Sequence, residues 1–543
     1  MFKKKCIVLC LIFGFFISFG QKPKIAGHPK LVVGLVIDQM RWDYLYRYYD
    51  RYSENGFRRL LDKGFSCENT FLPYVPTYTA PGHTCIFTGS VPAIHGIIAN
   101  DWYDETTGKN VYCTDDSTVN TVGSVSDEGK MSPRNLWTTT IGDELRISSN
   151  FSSKVIGIAL KDRASILPAG HSANGAYWFD ASVGKWITST YYEKQLPAWV
   201  IKENEKMLPD AFMAKDWNTL LPLSKYTQST SDDPSFEGSI PGEQTSTFPH
   251  KLSQITKGKY EAFKFTPFAA SYTFDMAKQA IENEKLGAGA VTDLLAISVS
   301  STDYTGHTFG PNSVEAEDTY LRLDKDIAEF LNYLDVTLGE GNYVLFLTAD
   351  HGVSNVPGFL EAHNIPAGTY NTGILQSGLN KMLSEKYGLD QVVITIENNQ
   401  VYINNNGIEK SGESKFRIER DIIAYLKNQS FIANAFSNEA IESQSIPYPI
   451  KQRLINGYNP RRSGEIGFFE KPGYISGGPR GTTHGMWNPY DAHIPLVWFG
   501  YHITPGKTNR EVYMTDIAPT LSAILNIQMP NGCVGKVIEE VTK

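Results

Sequence analysis

A chain of 543 residues, 41% hydrophobic and 20% charged, can bury one large core and has length for two to four domains. Acidic side chains outnumber basic ones 58 to 50, which argues against a general nucleic-acid partner. Six cysteines with no CxxC pair and no regular spacing argue against a disulfide scaffold and against a thiolate zinc site.

The chain opens on the basic MFKKK, continues through fourteen apolar residues, CIVLCLIFGFFISF, and reaches the small residues Ser18 and Gly20. That order predicts an export signal over residues 1–20, cut before Gln21. The apolar stretch falls short of the about 20 residues a membrane span needs, so the mature protein is expected to be soluble, without a membrane span, and periplasmic or secreted. Loss of Lys3, Lys4 and Lys5 leaves 47 basic and 58 acidic side chains, a formal charge of −11. Cys67, Cys85, Cys113 and Cys533 then remain, and one or two disulfides stay open.

Short apolar runs of the kind that form buried strands follow in order. They are LVVGLVI at 31–37, VIGIAL at 155–160, LLAISVS at 294–300, YVLFLTA at 343–349 and IPLVWFG at 494–500. Amphipathic helices are predicted at 269–286 and 315–338. The alternation predicts an α/β fold with a mostly parallel sheet sandwiched by helices. Insertions interrupt it at about 180–290, where 224–250 reads as a long polar loop, and at about 355–480, read as a cap subdomain rather than a separate module.

Acids and histidines sit at the strand ends. Asp38 closes the first strand, Asp303 and His307 follow the third, and Asp350 with His351 closes the fourth. Ligands gather at the carboxyl ends of strands in open α/β sheets, so these groups are expected in one crevice, joined by His484 from THG. Each has a plainer role, Asp38 as a helix cap and the histidines as satisfied polar groups, but three Asp and three His without thiolates suit two hydrolytic zinc ions. Thr79, in TAPGH, is placed to cap a helix that carries Pro81 in its first turn, its hydroxyl facing an anion at the helix start. Thr77 and Thr84 stay open as rival nucleophiles.

Asp38, Thr79 in TAPGH, Asp303 with His307, Asp350 with His351 and His484 in THG, in this order, resemble the alkaline phosphatase superfamily over nearly the whole mature chain. The resemblance implies one zinc ion held by Asp303, His307 and His484. It implies a second on Asp38, Asp350, His351 and Thr79, with Thr79 attacking phosphorus to form a phosphothreonine that is then hydrolysed. It also implies that Asn100 donates its amide to a phosphoryl oxygen. TAPGH lacks the modifiable Cys or Ser and the nearby Arg of sulfatases, and an export signal does not fit the cytosolic, Ser-dependent phosphoglycerate mutases.

The tripeptide Lys161-Asp162-Arg163, closing the second strand, separates two remaining activities. On extended backbone Lys161 and Arg163 share a face while Asp162 points away, either to orient its neighbours or to face solvent. A monoester presents three free oxygens and about −1.5 to −2 charge, a diester a single charge. Two charged hydrogen bonds at roughly 1.5–3 kcal/mol each bias the choice toward monoesters by about 10² to 10⁴. The pair also resembles that of the exported, phosphate-irrepressible alkaline phosphatases of flavobacterial type, which implies two zinc ions and no essential third metal. The expected function is therefore a phosphomonoesterase of broad range acting on small phosphate esters, with no obligate protein partner evident. A nucleotide pyrophosphatase or phosphodiesterase is the alternative, and a non-catalytic metal-dependent binding protein the remote one.

Overall fold

The apolar runs pair edge to edge into the centre of a ten-stranded sheet. The structure is a computed structural model describing residues 27–232 and 235–542, so the export signal expected at 1–20 lies outside the described residues. Four strands, β1 (Leu31–Ile37), β2 (Val155–Ala159), β3 (Asp293–Val299) and β4 (Tyr343–Thr348), stand parallel in the order β4-β1-β3-β2. Every residue in them is buried, which is why they read as unbroken apolar runs rather than alternating ones. The fifth run, β5 (Leu496–Gly500), lies antiparallel to β4, with Leu496 beside Thr348 and Gly500 beside Val344. It returns from the insertion that follows β4, and that insertion begins and ends at the carboxyl end of β4, so the only short way back is downward.

Helices cover the sheet. They are α1 (Thr79–Thr88), α2 (Asp162–Ala169), α3 (Phe268–Glu284), α4 (Ser301–Phe309) and α5 (Val314–Leu338). Helix α5 buries Leu323, Ile327, Phe330, Leu331, Leu334 and Leu338, a 3.6-residue stripe, and starts where the Ser313 side chain accepts from the Ala316 N–H. Helix α2 starts inside the tripeptide Lys161-Asp162-Arg163, where extended backbone closing the second strand was expected. Pro168 falls in the last turn, where its ring costs one backbone bond, and Gly170 at φ +81° ends the helix.

Residues 393–470 form a separate four-stranded sheet, whose hairpin turns through Asn398 and Asn399, both at positive φ. Helices Thr372–Tyr387 and Lys415–Lys427 cover it with Leu375, Leu379, Leu383, Ile418, Ile422 and Leu426, an apolar cluster distinct from the main core. The hairpin leans on the strand Asp101–Asp104, with Asn398 Nδ2 donating to the Asp101 carbonyl at 2.7 Å. The open question of disulfides resolves simply: Cys67, Cys85, Cys113 and Cys533 are all free thiols. Burial pushes the Cys85 and Cys113 thiols well above their usual range, which keeps them inert.

The centre tolerates no added bulk. A Cβ on Gly34 of β1 would sit 2.7 Å from Phe346 Cζ and 2.8 Å from Phe87 Cζ. Gly34→Val is expected to lower stability by about 1–3 kcal/mol or more through overpacking, read as a shifted urea midpoint with unchanged slope.

Candidate active site

Because β4, β1, β3 and β2 are neighbours, their carboxyl ends deliver Asp350 with His351, Asp38, Asp303 and Lys161 to one crevice. Asp38, Asp350 and His351 are wholly buried and Asp303 nearly so. His484 joins from the loop before β5, tied to α4 by Thr482 N–H donating to the His307 carbonyl at 2.9 Å. Ligand atoms of Asp38, Asp350 and His351 lie within 4.8 Å of one another, as do those of Asp303, His351 and His484. His307 Nε2 approaches Asp303 Oδ1 at 3.1 Å, and His484 Nε2 the same oxygen at 3.9 Å.

All three histidines point the same atom inward. Nδ1 of His307, His351 and His484 lies 2.8, 3.0 and 2.6 Å from the carbonyls of Thr482, Gly352 and Thr77. A carbonyl only accepts, so each Nδ1 carries a proton and each Nε2 is the nitrogen turned into the crevice, the orientation a metal ligand needs. Asp38 Oδ1 and Asp350 Oδ2 are buried and accept no hydrogen bond. Oxygen and imidazole donors with unused lone pairs fit the divalent ions expected here.

Lys161 is where the structure departs from the sequence reading. Its backbone is extended at φ −82°, ψ 128°, but α2 begins at Asp162, so residues 161 and 163 do not share a strand face. The ammonium turns inward and bridges Asp38 Oδ2 at 2.8 Å and Asp303 Oδ2 at 2.5 Å. Its partner here is a pair of carboxylates, where the sequence reading assigned the substrate phosphoryl group. Burial works against the charge, but Asp303 and Asp38 outweigh it and raise the Lys161 pKa, even with Arg163 repelling. Arg163 Nη1 donates to the Tyr112 hydroxyl at 2.9 Å. Asp162 is half-buried and bonded inward: it accepts from the Tyr112 hydroxyl at 2.8 Å and from Thr114 Oγ1 at 2.5 Å. Tyr112 and Thr114 therefore hold the tripeptide, and no sequence motif marks them.

Thr79 is the first residue of α1 rather than its cap, which is Tyr78. Its Oγ1 lies 3.3 Å from His351 Nε2. The rival hydroxyls are spent on backbone, Thr77 on the Met486 carbonyl at 3.0 Å and Thr84 on the Ala80 carbonyl at 2.7 Å, both buried. Asn100 Oδ1 accepts from the Ala80 N–H at 3.0 Å, which fixes the oxygen on the helix end and leaves the NH₂ as donor.

Two supporting residues were missed from the sequence. His83, one turn after Thr79, has Nδ1 3.0 Å from the Thr79 carbonyl and Nε2 2.8 Å from Ser298 Oγ; it becomes visible only once TAPGH is placed on a helix. Gln39 sits at φ +66°, a costly conformation for a side chain of its size. From there its N–H reaches Asp350 Oδ1 at 3.1 Å and its Nε2 reaches Asp303 Oδ1 at 2.7 Å, so one strained residue holds two carboxylates.

A mostly parallel sheet core that presents carboxylates and imidazoles beside a threonine hydroxyl bonded to one of those imidazoles defines a class, the metal-dependent hydrolases of alkaline-phosphatase-like fold. The chain belongs to the type I phosphodiesterase / nucleotide pyrophosphatase family, whose model matches residues 32–493. It is 50% identical to the alkaline phosphatase PafA of Elizabethkingia meningoseptica, over 96% of both chains. The crystal structure of wild-type PafA superposes with a TM-score of 0.94 over 96% of this chain and 100% of that one, at 49% identity. It is also 50% identical to the alkaline phosphatase PhoV of Synechococcus elongatus, over 96% of this chain and 94% of that one. A protein of Myroides odoratus named calcium-transporting ATPase is 51% identical over 98% of this chain and 97% of its own.

Gln39→Leu removes the amide that Asp303 accepts while keeping a side chain of similar size. Metal affinity, measured by competition with a chromophoric chelator, is expected to fall about 10- to 100-fold.

Proposed function

We propose that this chain is an exported phosphomonoesterase of the alkaline phosphatase type, hydrolysing small phosphate monoesters through a phosphothreonine at Thr79. The observation that carries the reading is the Thr79 hydroxyl 3.3 Å from His351 Nε2 beside the buried carboxylate–imidazole cluster, with the Lys161 ammonium inside that cluster and Asn100 bonded to the start of the helix that carries Thr79. Half of the residues are shared with PafA and PhoV over nearly full length, which supports the same activity. The basic and apolar pattern of residues 1–20, read as an export signal, supports the location, and no helix among the described residues is long and apolar enough to cross a membrane.

Asp303, His307 and His484 would hold one zinc ion, and Asp38, Asp350, His351 and Thr79 the other. Bound there, the ions supply Lewis-acid stabilisation of charge on the entering and leaving oxygens. Asn100, Lys161 and Arg163 orient the nonbridging phosphoryl oxygens for attack. The Thr79 Oγ–phosphorus bond forms as the ester bond opposite it breaks, and the departing alcohol takes up a proton. Water then adds to phosphorus, Thr79 regains its hydroxyl and phosphate leaves. ATP presents the same terminal phosphoryl group, so its hydrolysis falls within this chemistry. The family's name favours diesterase activity as a second reading.

With an aryl phosphate and the matching bis-aryl phosphate at one pH, the monoester is expected to have the higher kcat/KM, and better turnover of the diester would reverse the assignment. The double substitution Lys161→Ala with Arg163→Ala should cost monoester turnover at least 10² more than diester turnover. Thr79→Ser is expected to keep much of the activity and Thr79→Ala to lose about 10³ or more, measured as single-turnover phosphate release.

A further inference from the structure

Residues 216–232 and 235–250 hold little regular structure, yet buried acids of α5 pin their base. Trp217 and His250 exchange backbone hydrogen bonds, each 3.0 Å. The His250 ring is fully buried, with Nδ1 2.9 Å from Glu243 Oε2 and Nε2 3.2 Å from Glu315 Oε1. A carboxylate on each ring nitrogen calls for a proton on each, so the imidazole is a cation. Burial opposes that charge, and the bonds to Glu243 and Glu315 overcome it, holding the pKa up at about 9. The rings of Trp217, Phe248 and Phe309 enclose it, with centroids 4.9, 4.7 and 5.4 Å away. One turn further along α5, Asp318 accepts from Trp217 Nε1 at 2.7 Å and from the Leu220 N–H at 2.6 Å.

From this base the chain crosses the rim of the crevice. Gly238 N–H donates to the Thr308 carbonyl at 2.8 Å, and the Phe236 carbonyl accepts from the Gly481 N–H at 3.0 Å. Thr308 is next to His307, and Gly481 lies three residues before His484. The stretch 236–238 is thus bonded to both the end of α4 and the loop of THG, which in turn bond to each other through Thr482 and His307.

We propose that His250 is a positioning residue: the imidazolium gripped by Glu243 and Glu315 fixes residues 236–250 as a strap that sets the spacing of His307 and His484. The proposal rests on the reading of those two histidines as ligands of one ion and extends it to a segment that touches no ligand atom. Replacing His250 with Leu leaves two buried carboxylates without their cation and slackens the strap while the sheet stays intact.

The test is hydrogen exchange together with zinc release to a chelator, on the full chain, for His250→Leu and for Gly238→Pro. The second variant removes the N–H that Thr308 accepts and leaves the His250 lock in place, so it serves where the first does not fold. In either variant the Gly481 and Thr482 amides are expected to exchange at least tenfold faster. One of two zinc ions should leave at least tenfold faster, with β1 amides and the other ion unchanged. Uniform acceleration with both ions lost together, or no change in either, would overturn the strap. A His484→Ala variant with wild-type zinc content would overturn the ligand reading beneath it.

Discussion

Three buried carboxylates, Asp38, Asp303 and Asp350, share one crevice, and none of them could stay ionised there without cations around it. Everything about the site follows from that constraint. Burial and the neighbouring Asp350 push the Asp38 pKa well up, toward the neutral form. Burial pushes Asp303 the same way, but His307 and Lys161 reverse it and hold that carboxyl well below its usual range. The histidines divide likewise: Asp303 raises His307, while burial and two neighbouring imidazoles hold His484 well below its usual range and keep it neutral. A crevice of this kind is a store of negative charge that Lys161 fills in part and divalent ions fill better.

The same constraint explains how tightly the surroundings fit. Helix α1 brings Thr79 to the crevice only because Gly82 lets it lie against the end of β4, where a Cβ would fall 2.6 Å from the Asp350 carbonyl oxygen. Gly306 on α4 has no room for a Cβ beside the Gln39 side chain. Gln39 accepts a left-handed backbone to bond two carboxylates at once, a strain that the packing around it sustains.

Much of this was legible in the chain itself. Strand ends could be read because parallel, fully buried strands leave long apolar runs, and an acid or histidine after such a run is conspicuous. The direction of β5 was not legible, because a buried antiparallel strand shows the same run. Helix α2 was hidden by Pro168 and Gly170, two residues that usually mark a turn but here end a helix. That misreading carried over to Lys161, Asp162 and Arg163, whose real partners, Asp38, Asp303, Tyr112 and Thr114, come from distant parts of the sequence. Gln39 and His83 lay beside predicted residues, yet their roles depend on a positive φ and a helical turn that no spacing reveals.

If charge compensation governs the site, zinc should displace Lys161 from its carboxylates. A crystal structure of the zinc-loaded protein, phased on anomalous scattering at the zinc edge, tests this directly. The account predicts two ions about 3.5–4 Å apart, one on Asp38, Asp350 and His351 and one on Asp303, His307 and His484, with the Lys161 ammonium moved off the metal-facing oxygens. A single ion, or Lys161 still bridging Asp38 and Asp303 beside bound zinc, would contradict it.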